Sequence, residues 1–201
     1  MGSPGFSQEG YSVTYKYDGK LFPITFNGEK RSIDGPVDRL IIDDSLSFWY
    51  RLQNGYDPLR KKKILGEQLK HHAIFYNFNS NKYHSVVAWP TKKNAFLIED
   101  SIKVENWIFL QDEKEILGYK CRPALRVGEN NDTTLVWFSD SIPLSTGPFI
   151  YIGFPGLVLE IFDQLRGWHI LATKIQKGDF KVMMPIDIKI IPRSAYISPK
   201  Q

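Results

Sequence analysis

The sequence predicts a β-dominant domain: a single curved antiparallel sheet or half-barrel, all-β apart from at most one or two short helices. Three observations carry that expectation. Aromatic residues are abundant, with thirteen Phe, ten Tyr and five Trp in 201 residues, and such side chains fit a pleated, half-buried surface. Turn-forming residues recur roughly every eight to twelve positions, the spacing of many short strands. Several segments alternate apolar and polar residues with a period of two, the pattern of a strand with one wet face.

The elements follow in order. Residues 12–17 alternate and stop at Asp18-Gly19, and residues 21–26 stop at Asn27-Gly28. Both dipeptides tolerate positive φ and favour tight hairpin turns. Residues 38–42 and 46–52 form the next pair, around Asp43-Asp44. Residues 58–71 are the one helix candidate: Pro58 suits a first helical position, and Leu65 and Leu69 fall four apart on one face, although Gly66 weakens it. Residues 72–77 and 83–89 read as strands flanking Asn79-Ser80-Asn81, with Pro90 ending the second. Residues 95–98 and 106–110 lead to the charged turn Gln111-Asp112-Glu113-Lys114.

Residues 116–127 then read as one long strand. Tyr119, Cys121, Leu125 and Val127 share a face, and Lys120, Arg122 and Arg126 share the other. Pro123 has no N–H for a ladder, which places the strand at an edge or bulges it there. Residues 134–139 pair back, with Leu135 and Trp137 on one face. Residues 157–162 and 168–175 make a last hairpin around the loop 163–167, and residues 180–192 continue with strand-like alternation. The pattern is one of consecutive antiparallel pairs.

The length suits one domain, assigned to residues 9–201. Residues 1–8 read as a cloning and signal-cleavage remnant, which implies an exported protein, periplasmic or associated with the outer membrane. Net charge is +4 and the pI about 9.0. The cluster Arg60-Lys61-Lys62-Lys63 is short enough to be a solvated patch, so nucleic acid is not an expected partner. One cysteine, Cys121, excludes an intrachain disulfide. No apolar run is long enough to span a bilayer as a helix.

No nucleophile elbow, H-E-x-x-H, phosphate loop or dinucleotide fingerprint is present. The expectation is therefore no enzyme, no catalytic residues, no cofactor and no metal. Cys121, His71-His72 and Met183-Met184 are soft or borderline donors but match no ligand spacing. Alternation puts Cys121 on the apolar face, as a structural thiol.

Residues 141–158 are the most unusual stretch, with almost nothing titratable. Pro155-Gly156 is the pair a type II turn requires, Gly supplying the positive φ. Gly147-Pro148 is a second punctuator, and Phe149, Tyr151 and Phe154 lie between them. The stretch Gly153-Phe154-Pro155-Gly156-Leu157-Val158 resembles the signature of the GLPGLI family of exported Bacteroidetes proteins. The block from Ile116 to Ala124, that from Trp137 to Pro143, and Gly147-Pro148 are similar to its flanking motifs, with Trp107 upstream. The family's function is unknown, so the resemblance implies an exported envelope β protein and no activity.

The leading expectation is a binding protein that holds an apolar small molecule, lipid or peptide, or an outer-membrane protein. An interaction module of an envelope transport system and a soft-metal-handling protein are the alternatives. Trp137, Tyr151, Phe154 and Trp168 are the candidate lining residues, with core filling as the competing role. Residues 147–156 are either an exposed recognition loop or a buried crossover.

Overall fold

The computed structural model describes residues 10–17, 24–26, 29–31, 37–52, 73–87, 96–102, 106–128, 130–184 and 188–196. Several expectations lie outside the described residues: the remnant 1–8, the turn at Asp18-Gly19, the helix at 58–71, the basic cluster 60–63 and the pair His71-His72.

Fifteen strands are described: β1 Gly10–Tyr17, β2 Ile24–Phe26, β3 Glu29–Arg31, β4 Val37–Ile42, β5 Leu46–Leu52, β6 Ala73–Asn77, β7 Lys82–Val87, β8 Phe96–Ser101, β9 Ile108–Phe109, β10 Lys114–Ile116, β11 Tyr119–Val127, β12 Thr133–Ser139, β13 Leu157–Asp163, β14 Trp168–Gly178 and β15 Lys189–Pro192. The expected β-dominant architecture is what forms. β2 and β3 pair as a small hairpin of their own.

The main sheet runs β10-β11-β12-β13-β14-β1-β4-β5-β6-β7-β8-β15, with β9 also on β11. Sequence neighbours pair antiparallel through most of it. The exceptions define the fold. β1 inserts between β14 and β4 and so joins the two halves of the chain. β15 returns to lie parallel to β8, against the expectation of antiparallel pairing throughout the tail.

The sheet is strongly curved, and its own residues measure the curvature. Tyr83 on β7 and Arg126 on β11 line one cleft, yet eight strand steps separate them. In a flat sheet that is about 38 Å. The ends of the sheet must therefore curl towards each other.

Both faces are packed. On one, Val13, Tyr15, Leu40, Trp49, Ile161 and Ile170 meet the crossover of residues 140–156 through Ile142, Tyr151 and Phe154. Tyr15 and Trp49 are fully buried, each contributing roughly 2–3 kcal/mol, and the Tyr15 hydroxyl donates to the Val158 carbonyl at 2.6 Å. On the other face, Ile41, Phe48, Tyr50, Phe75 and Leu97 are covered by Phe180, Val182, Met184 and Ile188.

Four sequence expectations are corrected. The strand expected over 116–127 is two strands, because Leu117 (φ 53°) and Gly118 (φ 81°) make a two-residue turn that pairs Ile116 with Tyr119. Gly118 permits a primed turn, and the preceding Leu accepts the left-handed conformation with it. Pro123 sits where the neighbour of β11 changes from β10 to β9, so its missing N–H interrupts no ladder. Val127, expected on the apolar face, is exposed.

Gly156 is not at positive φ. A Cβ there would stand 2.0 Å from the Ser139 carbonyl oxygen, and one on Gly147 would stand 2.4 Å from the Tyr151 carbonyl oxygen. Both glycines are demanded by close backbone approach rather than by turn type.

Candidate functional site

The crossover is buried along most of residues 146–158, which makes it a lid over the sheet rather than a free loop. Ser47 and Thr146 hydroxyls lie 2.7 Å apart, and Ser145 Oγ donates to the Phe154 carbonyl at 2.5 Å. Phe149 holds φ at +57°. Its ring packs edge-on to Trp49 and Trp168, with centroids at 5.5 and 5.3 Å, and that packing keeps a bulky residue in an unfavourable conformation.

One edge of this lid forms the wall of a small cleft of about 100 Å³ that is open to solvent. Tyr83 comes from β7, Trp107 from the approach to β9, Arg126 from β11, Tyr151 and Phe154 from the crossover, and Arg166 from the β13–β14 loop. The Trp107 ring packs at 64° to Phe154 with centroids 4.9 Å apart, and Phe154 stacks on Phe138 at 5.7 Å. The Arg126 guanidinium lies 5.4 Å from the Trp107 centroid and donates to Thr134 Oγ1 at 3.2 Å. Half-buried Trp107 is thus held by Phe154 and Arg126.

Electrostatics tie the wall to the sheet. Asp163 is buried, and it accepts from the Tyr151 hydroxyl, from the Arg166 amide at 2.9 Å and from Arg166 Nη1 at 2.7 Å. Burial alone would raise its carboxyl pKa, but these donors outweigh burial and hold it below the ordinary value. Burial and the same carboxylate push the Tyr151 hydroxyl upward. Across the cleft the Tyr83 hydroxyl donates to Asp100 Oδ2 at 3.1 Å, and burial, then Asp100, push it up to about 12. Both phenols are therefore neutral donors at physiological pH.

A second polar cluster lies on β1, β4 and β5. Arg51 Nε donates to buried Asp38 at 3.0 Å, Arg51 also donates to the Tyr17 hydroxyl, and its guanidinium stacks over the Tyr17 ring at 4.5 Å. Burial raises the Asp38 carboxyl, and Arg51 opposes this without cancelling it. A third cluster joins Glu160 to His169 Nε2 at 3.0 Å and to Lys114.

Of the four expected lining residues, the structure brings Tyr151 and Phe154 into the cleft wall. Trp137 is elsewhere, with Lys114 Nζ 4.1 Å from its ring centroid. Trp168 packs edge-on to Tyr17 and Phe149 and meets the cleft only through Arg166, which lies over its ring at 5.5 Å. Sequence reasoning does not select Tyr83, Arg126 or Arg166, and notices Trp107 only within a motif. Alternation groups Arg126 with Lys120 and Arg122 on a charged face; no local signal separates a cleft arginine from a solvated one.

Cys121 is fully buried, its thiol donates to the Tyr119 carbonyl at 3.3 Å, and burial pushes it up to about 11. Among the described residues no group of three His, Cys, Asp or Glu side chains could hold a metal ion, and no helix is long and apolar enough to cross a membrane.

The curled open sheet carries a cleft lined by aromatic residues and two arginines, and comparison with known proteins gives the family. Residues 62–189 match the family described as "N-glycanase peptide, N-terminal domain", and the chain belongs to that family. No curated protein sequence matches it. Two solved structures of PNGF-II share the fold. The one in space group C2 has a TM-score of 0.66 at 17% identity, over 92% of this chain and 31% of that one. The one in P21 has a TM-score of 0.68 at 17% identity, over 93% and 32%. The chain thus spans about a third of the length of those structures.

The family match overturns the GLPGLI resemblance and the unknown-function reading drawn from it. The blocks that carried the resemblance all fall within residues 62–189. The motif glycines Gly147 and Gly156 answer to local crowding between crossover and sheet, so a short Gly/Pro motif there reports a tight crossover more than descent. The expected envelope protein holding an apolar ligand or an outer-membrane partner falls with it. So do its two alternatives, the transport-system interaction module and the soft-metal-handling protein.

Proposed function

We propose that this domain acts in N-glycan processing as a glycan-recognition module, with the cleft beside Trp107 as a sugar subsite. The family supports the substrate class, and the chemistry of the cleft supports the site. A pyranose presents an apolar C–H face and a rim of hydroxyls. Trp107 offers a ring for the face, while the Arg126 and Arg166 guanidinium groups and the Tyr83 and Tyr151 hydroxyls surround it. Polar groups converge here beside apolar ones, a combination found in small-ligand sites. The observation that carries the reading is Trp107, partly open to solvent yet fixed by Phe154 and Arg126. An exported location agrees with a glycoprotein substrate.

The test is isothermal titration of the protein with released N-glycans. Measurable binding is expected, weakened at least about tenfold by Trp107→Ala, a loss of roughly 1.4 kcal/mol. Absence of binding to every released N-glycan would remove the reading. The same protein, incubated with intact glycopeptide and read by mass spectrometry for freed glycan, assigns or removes hydrolysis as an activity of this domain.

A further inference from the structure

Resting on that reading, we infer that the cleft receives an acetamido group of the glycan, the N-acetyl substituent of an aminosugar, with its methyl among the isoleucines and its N–H directed to the Tyr83 oxygen. Size is the first argument. The cleft is about 100 Å³. An apolar cavity of about 150 Å³ holds one benzene, so by the same measure this cleft holds roughly four non-hydrogen atoms rather than a pyranose ring. An acetamido group has that size. Because the cleft is open to solvent, the sugar ring that carries the group can extend out of it.

The make-up of the lining is the second argument. Ile102, Ile150, Ile152 and Phe154 supply apolar surface for a methyl. The polar groups beside them are largely committed within the protein. The Tyr83 hydroxyl gives its one hydrogen to Asp100, and the Tyr151 hydroxyl gives its hydrogen to Asp163. Arg166 is ion-paired with the same buried Asp163, and Arg126 is held by Thr134 and the Trp107 ring. A phenol oxygen whose hydrogen is spent still has lone pairs, so Tyr83 meets a ligand as an acceptor. The cleft therefore suits a neutral group that brings a donor of its own beside apolar surface. On an N-glycan, a hydroxyl brings a donor without apolar surface, and a deoxysugar methyl brings apolar surface without a donor. The acetamido group brings both, and its carbonyl can stay hydrated through the opening.

The experiment is an NMR titration with two disaccharides of one linkage, N,N′-diacetylchitobiose and cellobiose, which differ in carrying acetamido or hydroxyl groups. The acetylated disaccharide is expected to bind about tenfold tighter, as burial of a methyl and one added hydrogen bond require. The longer N-butanoyl analogue should lose most of that gain, because the space is already filled. Tyr83→Phe, which removes the acceptor and keeps the ring, should narrow the gap about threefold. Any of four results overturns this inference: no binding of diacetylchitobiose, equal affinity for the two disaccharides, an N-butanoyl form that binds as well as the acetyl form, or a gap unmoved by Tyr83→Phe. Binding of released N-glycans by the same protein then leaves glycan recognition standing. Binding of neither disaccharide nor any released N-glycan overturns both.

Discussion

The Tyr151 hydroxyl donates to the Asp163 carboxylate, and that single buried contact ties the crossover to the end of β13. It also orients Arg166, the third partner on the same carboxylate. Removing the hydroxyl leaves a buried carboxylate with fewer donors while the ring still fills its space. Tyr151→Phe is expected to cost about 1–3 kcal/mol, measured by urea unfolding, and to weaken glycan binding by loosening Arg166.

The same carboxylate gives a pH dependence. Because the folded state holds Asp163 below its ordinary value, ionised Asp163 favours folding. Its contribution is fully present above the unfolded carboxyl value, about 4, and is lost as pH falls through the lower folded value. Unfolding free energy measured from pH 7 downwards should therefore decline below about pH 4, and Asp163→Asn should flatten that part of the curve.

Crowding rather than dihedral freedom constrains Gly156, so Gly156→Ala must displace the Ser139 backbone. A cost of about 3 kcal/mol or more is expected. Gly153 has φ at +90°, but a Cβ there would stand 3.5 Å from its nearest neighbour, on Ile102. Gly153→Ala should therefore lose less, about 1–2 kcal/mol, from strain alone. Chemical denaturation of the two variants ranks them; the reverse order would show that conformation dominates.

Leu117 holds φ at 53° in the β10–β11 turn and is exposed. Leu117→Asn would create Asn-Gly, the preferred pair for a primed turn. A gain of about 1 kcal/mol is expected, which in a chain of this length raises the Tm by about 2–4 °C. Calorimetry checks it.

Cys121 should be inert in the native protein. Its thiol is fully buried and pushed up to about 11, so little thiolate exists at about pH 8. A thiol-specific chromogenic reagent should label it only after denaturant is added. Rapid native labelling would show that the β10–β11 hairpin opens.

Much of the fold was legible because strands announce themselves locally. Alternation and turn residues placed β4 and β5 within a residue of where they lie, and Asn79-Ser80-Asn81 marked the β6–β7 turn, in which Asn81 takes a positive φ. The β10–β11 turn escaped because Leu117 is not a turn former; only Gly118 hinted at it. The site was half legible. Tyr151 and Phe154 drew notice as aromatic residues in a Gly/Pro-rich segment, whereas Tyr83 and Arg126 look like ordinary strand residues.

By itself the sequence determined the β-dominant class, several of the hairpins and the buried thiol Cys121. All of these depend on residues within a few positions of one another. Only the tertiary structure decided that β1 bridges β14 and β4, that β15 runs parallel to β8, and that eight strand steps curl until Tyr83 meets Arg126 at one cleft. The reason is physical. Local alternation specifies which face of a strand is buried, but the partner across the sheet, and the curvature that brings distant strands together, come from long-range packing that leaves no periodic trace in the chain.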